Sequence, residues 1–329
     1  MAKRKRSSRR GKNKGAAGKL WGYTKFLLLL GILAGIGFGI WYSQQDKDTQ
    51  REAQEEVIAA LDWLIELQET DKETDDFLNW IVSQIPASRG VVVSVGNIEG
   101  SDRYTFAGVP VGDRPIQILK NEGYLVGYDE EMQNPAWVAY HLKYRRGGRT
   151  ADRPDGFEAD DRTRARVEHH DYTNSGYDRG HMAPNYAIGM VYGEAAQMET
   201  FLMSNIVPQL PDLNRGPWKE VEQLIANDYL EESEELWVIT GPIYGEPVAE
   251  LVSGVKVPTA FYKVVIDEID GNVRFLAWVM PQAAGGAARL SSYLVSVDEI
   301  ESVTGLDFFT LLNDGVEGQL ESVKAVRMW

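Results

Sequence analysis

Tyr124-Leu125-Val126-Gly127-Tyr128 and Trp137-Val138-Ala139-Tyr140-His141-Leu142, separated by the polar interval from Asp129 to Pro135, read as the two strands of a hairpin. Val91 to Val95, Leu236 to Thr240, Ala260 to Ile266 and Arg274 to Met280 have the same aromatic and β-branched character and are expected as further strands. A helix from about Pro217 to Leu230 would place Trp218, Val221, Leu224 and Ile225 on one face. There is no βαβ rhythm and no glycine-rich phosphate loop. Strands joined by hairpin links and followed by helices predict an α+β layer fold on a largely antiparallel sheet.

The chain has 329 residues, enough for about two units. Its 43% hydrophobic and 25% charged residues are those of an ordinary globular protein, not of a disordered or fibrous one. With no cysteine, thiol nucleophiles, disulfides and Cys-ligated metal centres are excluded. The net charge of −15 is unevenly spread, since residues 1–19 carry nine cations and no acid. Setting those nine aside leaves 25 basic against 49 acidic residues, a balance of −24. A basic tail is thus joined to an acidic body, and that division suggests a topological cause.

Phe26 to Tyr42 is uncharged and almost wholly apolar, and it extends back to Leu20 if Lys25 snorkels. It ends in Trp41-Tyr42, an aromatic pair suited to the lipid–water interface, where a cleavable signal would end in small residues. The expectation is a retained single-pass anchor over residues 20–42. The cations before it keep the tail 1–19 in the cytoplasm, and everything after Tyr42 is exported to the periplasm or the exterior. A mitochondrial targeting segment, leading to the inner membrane, is the competing reading of the same basic stretch. Gly31, Gly35 and Gly39 recur at a spacing that lets two membrane helices approach, which would make a homodimer.

Residues 43–88 are expected as a helical stalk. Val57, Ile58, Leu61, Leu64 and Ile65 form one stripe and Phe77, Leu78, Ile81 and Ile85 a second, with Thr70 and Glu73 as a capping box between them. The catalytic body would then occupy residues 89–329.

Chemistry concentrates around His181, in Gly176-Tyr177-Asp178-Arg179-Gly180-His181-Met182-Ala183-Pro184-Asn185. An arginine beside a histidine suits an anionic substrate: the neutral imidazole accepts a proton while the guanidinium grips a phosphate oxygen. An incidental histidine in a surface loop is the bland reading. Downstream, Asn214 precedes the helix at Pro217; its side chain either caps the first turn or offers an oxygen to Mg²⁺. Glu222 lies about 12 Å further along at helical rise, which favours contact with metal-bound water over direct ligation.

The Asp178-Arg179-Gly180-His181 tetrad, the stretch from Ser204 to Gln209, Asn214 and Glu222 together resemble the DNA/RNA non-specific endonucleases, the ββα-metal family. Val238 to Tyr244, Val257 to Lys263 and Thr304 to Phe309 resemble its later blocks, so the likeness runs from about Gly90 to the C-terminus. It implies a ββα-metal nuclease fold and hydrolysis of DNA and RNA phosphodiesters to 5′-phosphate ends. It also implies His181 as general base, Asn214 as the single protein ligand of Mg²⁺ (Mn²⁺ being a substitute), Arg179 near the phosphate and Glu222 on the metal's water shell. Asn205 is placed with the substrate contacts as a supporting residue, and Asp178 as a structural partner. The family's upstream arginine falls among several candidates between Arg149 and Arg166, with Arg153 chosen.

The acidic body should repel a polyanion at long range, so the acid-free run Lys143, Arg145, Arg146 and Arg149 is expected to line the substrate groove. Contacts of this kind carry no base information, so DNA and RNA backbones would be bound without sequence preference. His169 and His170 are expected on the surface, and His141 as a packing residue at a strand end. Two other classes compete with the enzyme: an inactive nucleic-acid-binding relative, and a membrane scaffold acting through its stalk.

Overall fold

The computed structural model describes residues 42, 45, 49–50, 53–58, 60, 93–94 and 102–329, apart from 270 and 286–288. Two compact units divide the chain, Met1–Asp71 and Lys72–Trp329. In the first, residues 53–58 are helical with Ala53 and Ile58 buried; of the first expected stripe, Leu61, Leu64 and Ile65 lie outside the described residues. Apart from Tyr42, the expected span at 20–42 lies outside the described residues, as do the Thr70 capping box and the second stripe. Among the described residues no helix is long and apolar enough to cross a membrane.

The second unit is built on a sheet of eight described strands. These are β1 (Val93–Ser94), β2 (Gln117–Lys120), β3 (Tyr124–Asp129), β4 (Asn134–Lys143), β7 (Glu235–Ile243), β8 (Ala260–Ile269), β9 (Asn272–Pro281) and β10 (Leu294–Val295). Their order is β1-β9-β8-β7-β4-β3-β2, with β10 also on β9, and every pairing is antiparallel. The β3–β4 hairpin forms where the sequence predicts it. Its register shifts at Gly127, where a Cβ would stand 2.2 Å from the Trp137 ring, so only glycine lets that indole lie across the strand.

Both faces of the sheet are covered, which is why its strands read as nearly unbroken apolar runs and not as alternation. On one face Tyr124, Val126, Val138, Tyr140, Phe261 and Val265 pack with Met182, Ile188, Trp218, Val221 and Ile225. On the other, Leu125, Trp137, Ile239, Tyr262, Val264 and Phe275 pack with Val297, Ile300, Phe308 and Leu320. Each such side chain contributes about 1.5–3 kcal/mol by leaving water, against the entropy of ordering the chain.

The functional elements lie on the first face. A finger detached from the main sheet pairs β5 (Asp178–His181) with β6 (Ile206–Gln209). Between its strands run α1 (Asn185–Tyr192) and α2 (Glu194–Glu199). After the finger come α3 (Pro211–Arg215) and α4 (Pro217–Gln223), the latter opening into a π-helical stretch, Leu224–Tyr229, before a last turn at Leu230–Ser233. The far face is closed by α5 (Val297–Thr304) and α6 (Asp314–Glu321).

Candidate active site

The finger is locked at three points. Gly180 opposes Val207, and a Cβ on it would lie 2.0 Å from Gln209 Oε1, so the strands close to this distance only because the residue is glycine. Asn205 is completely buried; its Nδ2 donates to the carbonyls of Ala183 (3.0 Å) and Thr200 (2.9 Å), and its Oδ1 accepts from Ala183 N–H (2.8 Å). The expected substrate contact is therefore corrected: the Asn205 amide is consumed in holding the chain that leaves His181. Gln282 completes the lock, accepting from Leu210 N–H (2.8 Å) and donating to the carbonyls of Pro208 (2.9 Å) and Pro258 (3.1 Å). It fastens the end of β6 and the start of α3 to the main sheet.

His181, Asn214, Arg179 and Glu222 all line one cleft of about 850 Å³, together with Arg153, Phe157, Asp178, Arg215 and Lys219. His181 is held by aromatic rings, with Phe157 at 5.4 Å and Phe201 edge-on at 5.0 Å between centroids. Its Nε2 is enclosed and has no hydrogen-bond partner among the described residues. Burial, with the nearby Arg153 charge adding to it, pushes the imidazole down to about 3, so the ring is neutral at pH 7.

Asp178 sets the metal-ligand candidate. Its Oδ2 accepts from Asn214 Nδ2 (3.0 Å) and from Arg215 Nε (2.8 Å), while Oδ1 accepts from Arg215 Nη2 (2.6 Å). Burial opposes ionisation here, but the hydrogen bonds from Arg215 and Asn214 outweigh it and hold the carboxyl below the ordinary aspartate range. Asn214 sits inside α3, one residue before its end, so it does not cap α4; that role falls to Gly216, with Pro217 at the first helical position. With Nδ2 given to Asp178, the amide oxygen Oδ1 has no hydrogen bond among the described residues.

Glu222, on α4, forms a buried ion pair with Lys263 of β8, Oε1 to Nζ 3.8 Å. Lys263 is fully buried and its Nζ lies 4.3 Å from the centroid of the Trp218 ring, a cation–π contact. Burial raises the Glu222 carboxyl and lowers the Lys263 ammonium, and each charge partly offsets the other's shift. Sequence reasoning overlooked Lys263. The one signal was a lysine inside the apolar run Ala260 to Ile266 with no polar neighbour to explain it.

Arg179 stacks over Phe157 (5.9 Å) and Tyr172 (5.6 Å), and its Nε and Nη2 donate to the His169 carbonyl. Arg153, exposed, lies over Phe201 at 5.4 Å on the same cleft wall, whereas Arg162 is spent on Asp160 at 2.6 Å. Arg145 and Arg146 are exposed but are not among the residues lining the cleft, and Lys143 faces Glu235 at 3.5 Å. Arg145 Nη1 reaches the Val191 carbonyl of α1 at 3.5 Å, so this run lies beside the helix whose first residues line the cleft. His169 and His170 are exposed as expected, on a 3₁₀ turn, not a strand. His141 stacks on Trp237 (4.5 Å) and meets Glu235 at 2.7 Å, a packing residue.

A detached finger with a neutral histidine, an amide oxygen freed by a carboxylate and a buried acid, all opening on a cationic cleft, defines a hydrolytic site for an anionic polymer. Residues 106–315 match the family model described as DNA/RNA non-specific endonuclease. A nuclease of Nostoc sp. is 32% identical over 240 residues, covering 67% of this chain and 85% of that protein. Human mitochondrial endonuclease G is 33% identical over 208 residues, 58% of this chain and 69% of its own length. The crystal structure of an EndoG/EndoGI complex superposes with a TM-score of 0.53 at 28% identity, covering 64% of this chain and 90% of that one. The chain belongs to the DNA/RNA non-specific endonuclease family, and it is a nucleic-acid hydrolase.

Proposed function

We propose that this chain cleaves DNA and RNA with His181 as general base and Asn214 as the protein ligand of a catalytic Mg²⁺, Mn²⁺ being a substitute. The observation that carries the reading is that His181 and Asn214 open on one cleft with the Asn214 amide turned by Asp178 so that its oxygen has no partner among the described residues. Mg²⁺ takes few protein ligands and keeps several waters, which suits one amide oxygen with the Glu222 carboxylate, paired to Lys263, on the same cleft. When bound, the cation supplies charge stabilisation at the phosphate and at the leaving 3′ oxygen. His181 removes a proton from the attacking water, the new bond forms at phosphorus, and the bond to the 3′ oxygen breaks, leaving a 5′-phosphate. Arg179 and Arg153 hold phosphate oxygens, and Asp178 holds the Asn214 amide and Arg215 in place. Glu222, kept near the metal's waters by Lys263, completes the site.

The test is digestion of plasmid and of single-stranded RNA by the full chain with Mg²⁺, with EDTA, and after His181→Ala or Asn214→Ala. The proposal expects EDTA and either substitution to abolish cleavage of both polymers. Activity surviving His181→Ala removes the base, and activity sensitive to EDTA but not to Asn214→Ala moves the metal elsewhere.

Placement of this activity rests on the sequence. Residues 20–42 would anchor the nuclease with the basic tail in the cytoplasm and the glycine stripe available for a homodimer, leaving 43–88 as stalk and 89–329 as catalytic body. The mitochondrial relatives favour a second reading, in which the same stretch serves import and inner-membrane anchoring. Protease protection of the nuclease body in intact cells or organelles, with the tail probed separately, distinguishes the two.

A further inference from the structure

On the face of the sheet away from the cleft, three carboxylates converge between α5 and α6. One oxygen each of Asp298, Glu301 and Glu321 lies within 4.8 Å of the other two. Asp298 is exposed and Glu301 half-buried, but Glu321 is only 6% exposed, and among the described residues its enclosed Oε1 meets no donor other than the Glu301 carboxyl when that is protonated. Among the described residues no lysine, arginine or histidine pairs with any of the three. A buried carboxylate that faces only other carboxylates is strongly disfavoured unless a proton or a cation neutralises the group. Glu321 is moreover the last residue of α6, the end of a helix dipole that repels an anion and attracts a cation.

Oxygens bound to one Ca²⁺ at about 2.3–2.6 Å can stand up to roughly 5 Å apart, so the whole range of separations within 4.8 Å is open to Ca²⁺, while Mg²⁺, at about 2.0–2.1 Å, needs them within roughly 4.2 Å. Glu301 is already oriented, its Oε1 accepting from Phe308 N–H at 2.9 Å. We propose that Asp298, Glu301 and Glu321 form a second cation site, of Ca²⁺ type, that clamps α5 to α6. Without a cation the same cluster must hold a proton, since burial and the neighbouring carboxylates push Glu321 up to about 8.

The test uses the full chain carrying Asn214→Ala, so that the proposed cleft ligand is absent, stripped with EDTA and dialysed. CaCl₂ or MgCl₂ is then added and followed by titration calorimetry and thermal melting. The site requires one Ca²⁺ bound per chain. It also requires a rise in Tm of roughly 3–5 °C at about ten times the dissociation constant, a weaker response to Mg²⁺, and loss of both effects on adding Glu321→Gln or Asp298→Asn. Asp298 is exposed, so its variant keeps the test valid should Glu321→Gln fold poorly. No heat and no shift with Ca²⁺, or a response unchanged in Asp298→Asn, overturns the site. A Tm that follows pH between 6 and 9 but ignores Ca²⁺ also overturns it, because the cluster then holds only a proton.

Discussion

Asp178 and Asn214 are joined by one hydrogen bond of 3.0 Å between β5 and α3, and it fixes which end of the amide meets the cleft. An asparagine without that acceptor is free to turn its NH₂ outward, where it cannot ligate a cation. Asp178→Ala should therefore lower cleavage about 10–100-fold and raise the Mg²⁺ concentration needed for half-maximal rate, as supporting partners of metal ligands generally do. A Mg²⁺ titration of plasmid nicking checks it; an unchanged midpoint would detach Asp178 from the metal.

The same carboxyl gives a pH dependence. Its folded pKa lies below the ordinary aspartate value, so its stabilisation is complete above about 4 and is lost as pH falls through the folded value. Wild type and Asp178→Ala should differ in Tm at pH 6 and converge as the pH is lowered below 4.

His181 loses stability in the same direction, through burial and not through hydrogen bonds to a charge. Its folded pKa, about 3, lies below that of an unfolded histidine, about 6.5, so the unfolded chain takes up the proton first. The fold should lose stability as pH drops from about 6.5 towards 3, and His181→Gln should lose less over that window while cleaving about 10²–10⁴-fold more slowly. Urea midpoints at pH 7 and pH 5 measure the difference; parallel losses would contradict the enclosed neutral ring.

Removing one member of the Glu222–Lys263 pair should cost more than removing both. Lys263→Met leaves a carboxylate enclosed near Trp218 and is expected to destabilise by about 3–5 kcal/mol unless the acid takes up a proton. Combining it with Glu222→Gln should restore much of that stability and none of the activity. Denaturation of the two single variants and the double variant tests this coupling.

Cations in the cleft should dominate the salt dependence of binding. Lys219→Ala, on the cleft wall, is expected to reduce the slope of log affinity against log salt by about 1, and Arg145→Ala with Arg146→Ala to reduce it less. Fluorescence anisotropy with the Asn214→Ala protein and a labelled duplex gives the slopes, and the reverse order would return the groove to the basic run.

The β3–β4 hairpin, the strands β7, β8 and β9, and the start of α4 at Gly216-Pro217 were legible because each is written in local chemistry: branched and aromatic runs, a polar turn, a proline at the first helical position. The finger was not predicted as a hairpin. Asp178 to His181 has no strand-like composition, and it pairs with β6 because Gly180, Gln282 and Asn205 act across long sequence separations. Lys263 was hidden for a related reason, since a strand sequence says nothing of a carboxylate arriving from another element.

The π-helical stretch Leu224–Tyr229 begins two residues after Glu222. It leaves that helix with one residue more than α pitch accommodates, a phase offset of about 100° between the turn that presents Glu222 and the turns that seat Tyr229 and Leu230 against the core. Aligning or rebuilding the segment at uninterrupted pitch would rotate either the acid out of the cleft or the anchors into solvent. A helix of uninterrupted pitch could present the same acid and seat the same anchors only with one residue fewer between its catalytic half and its anchoring half.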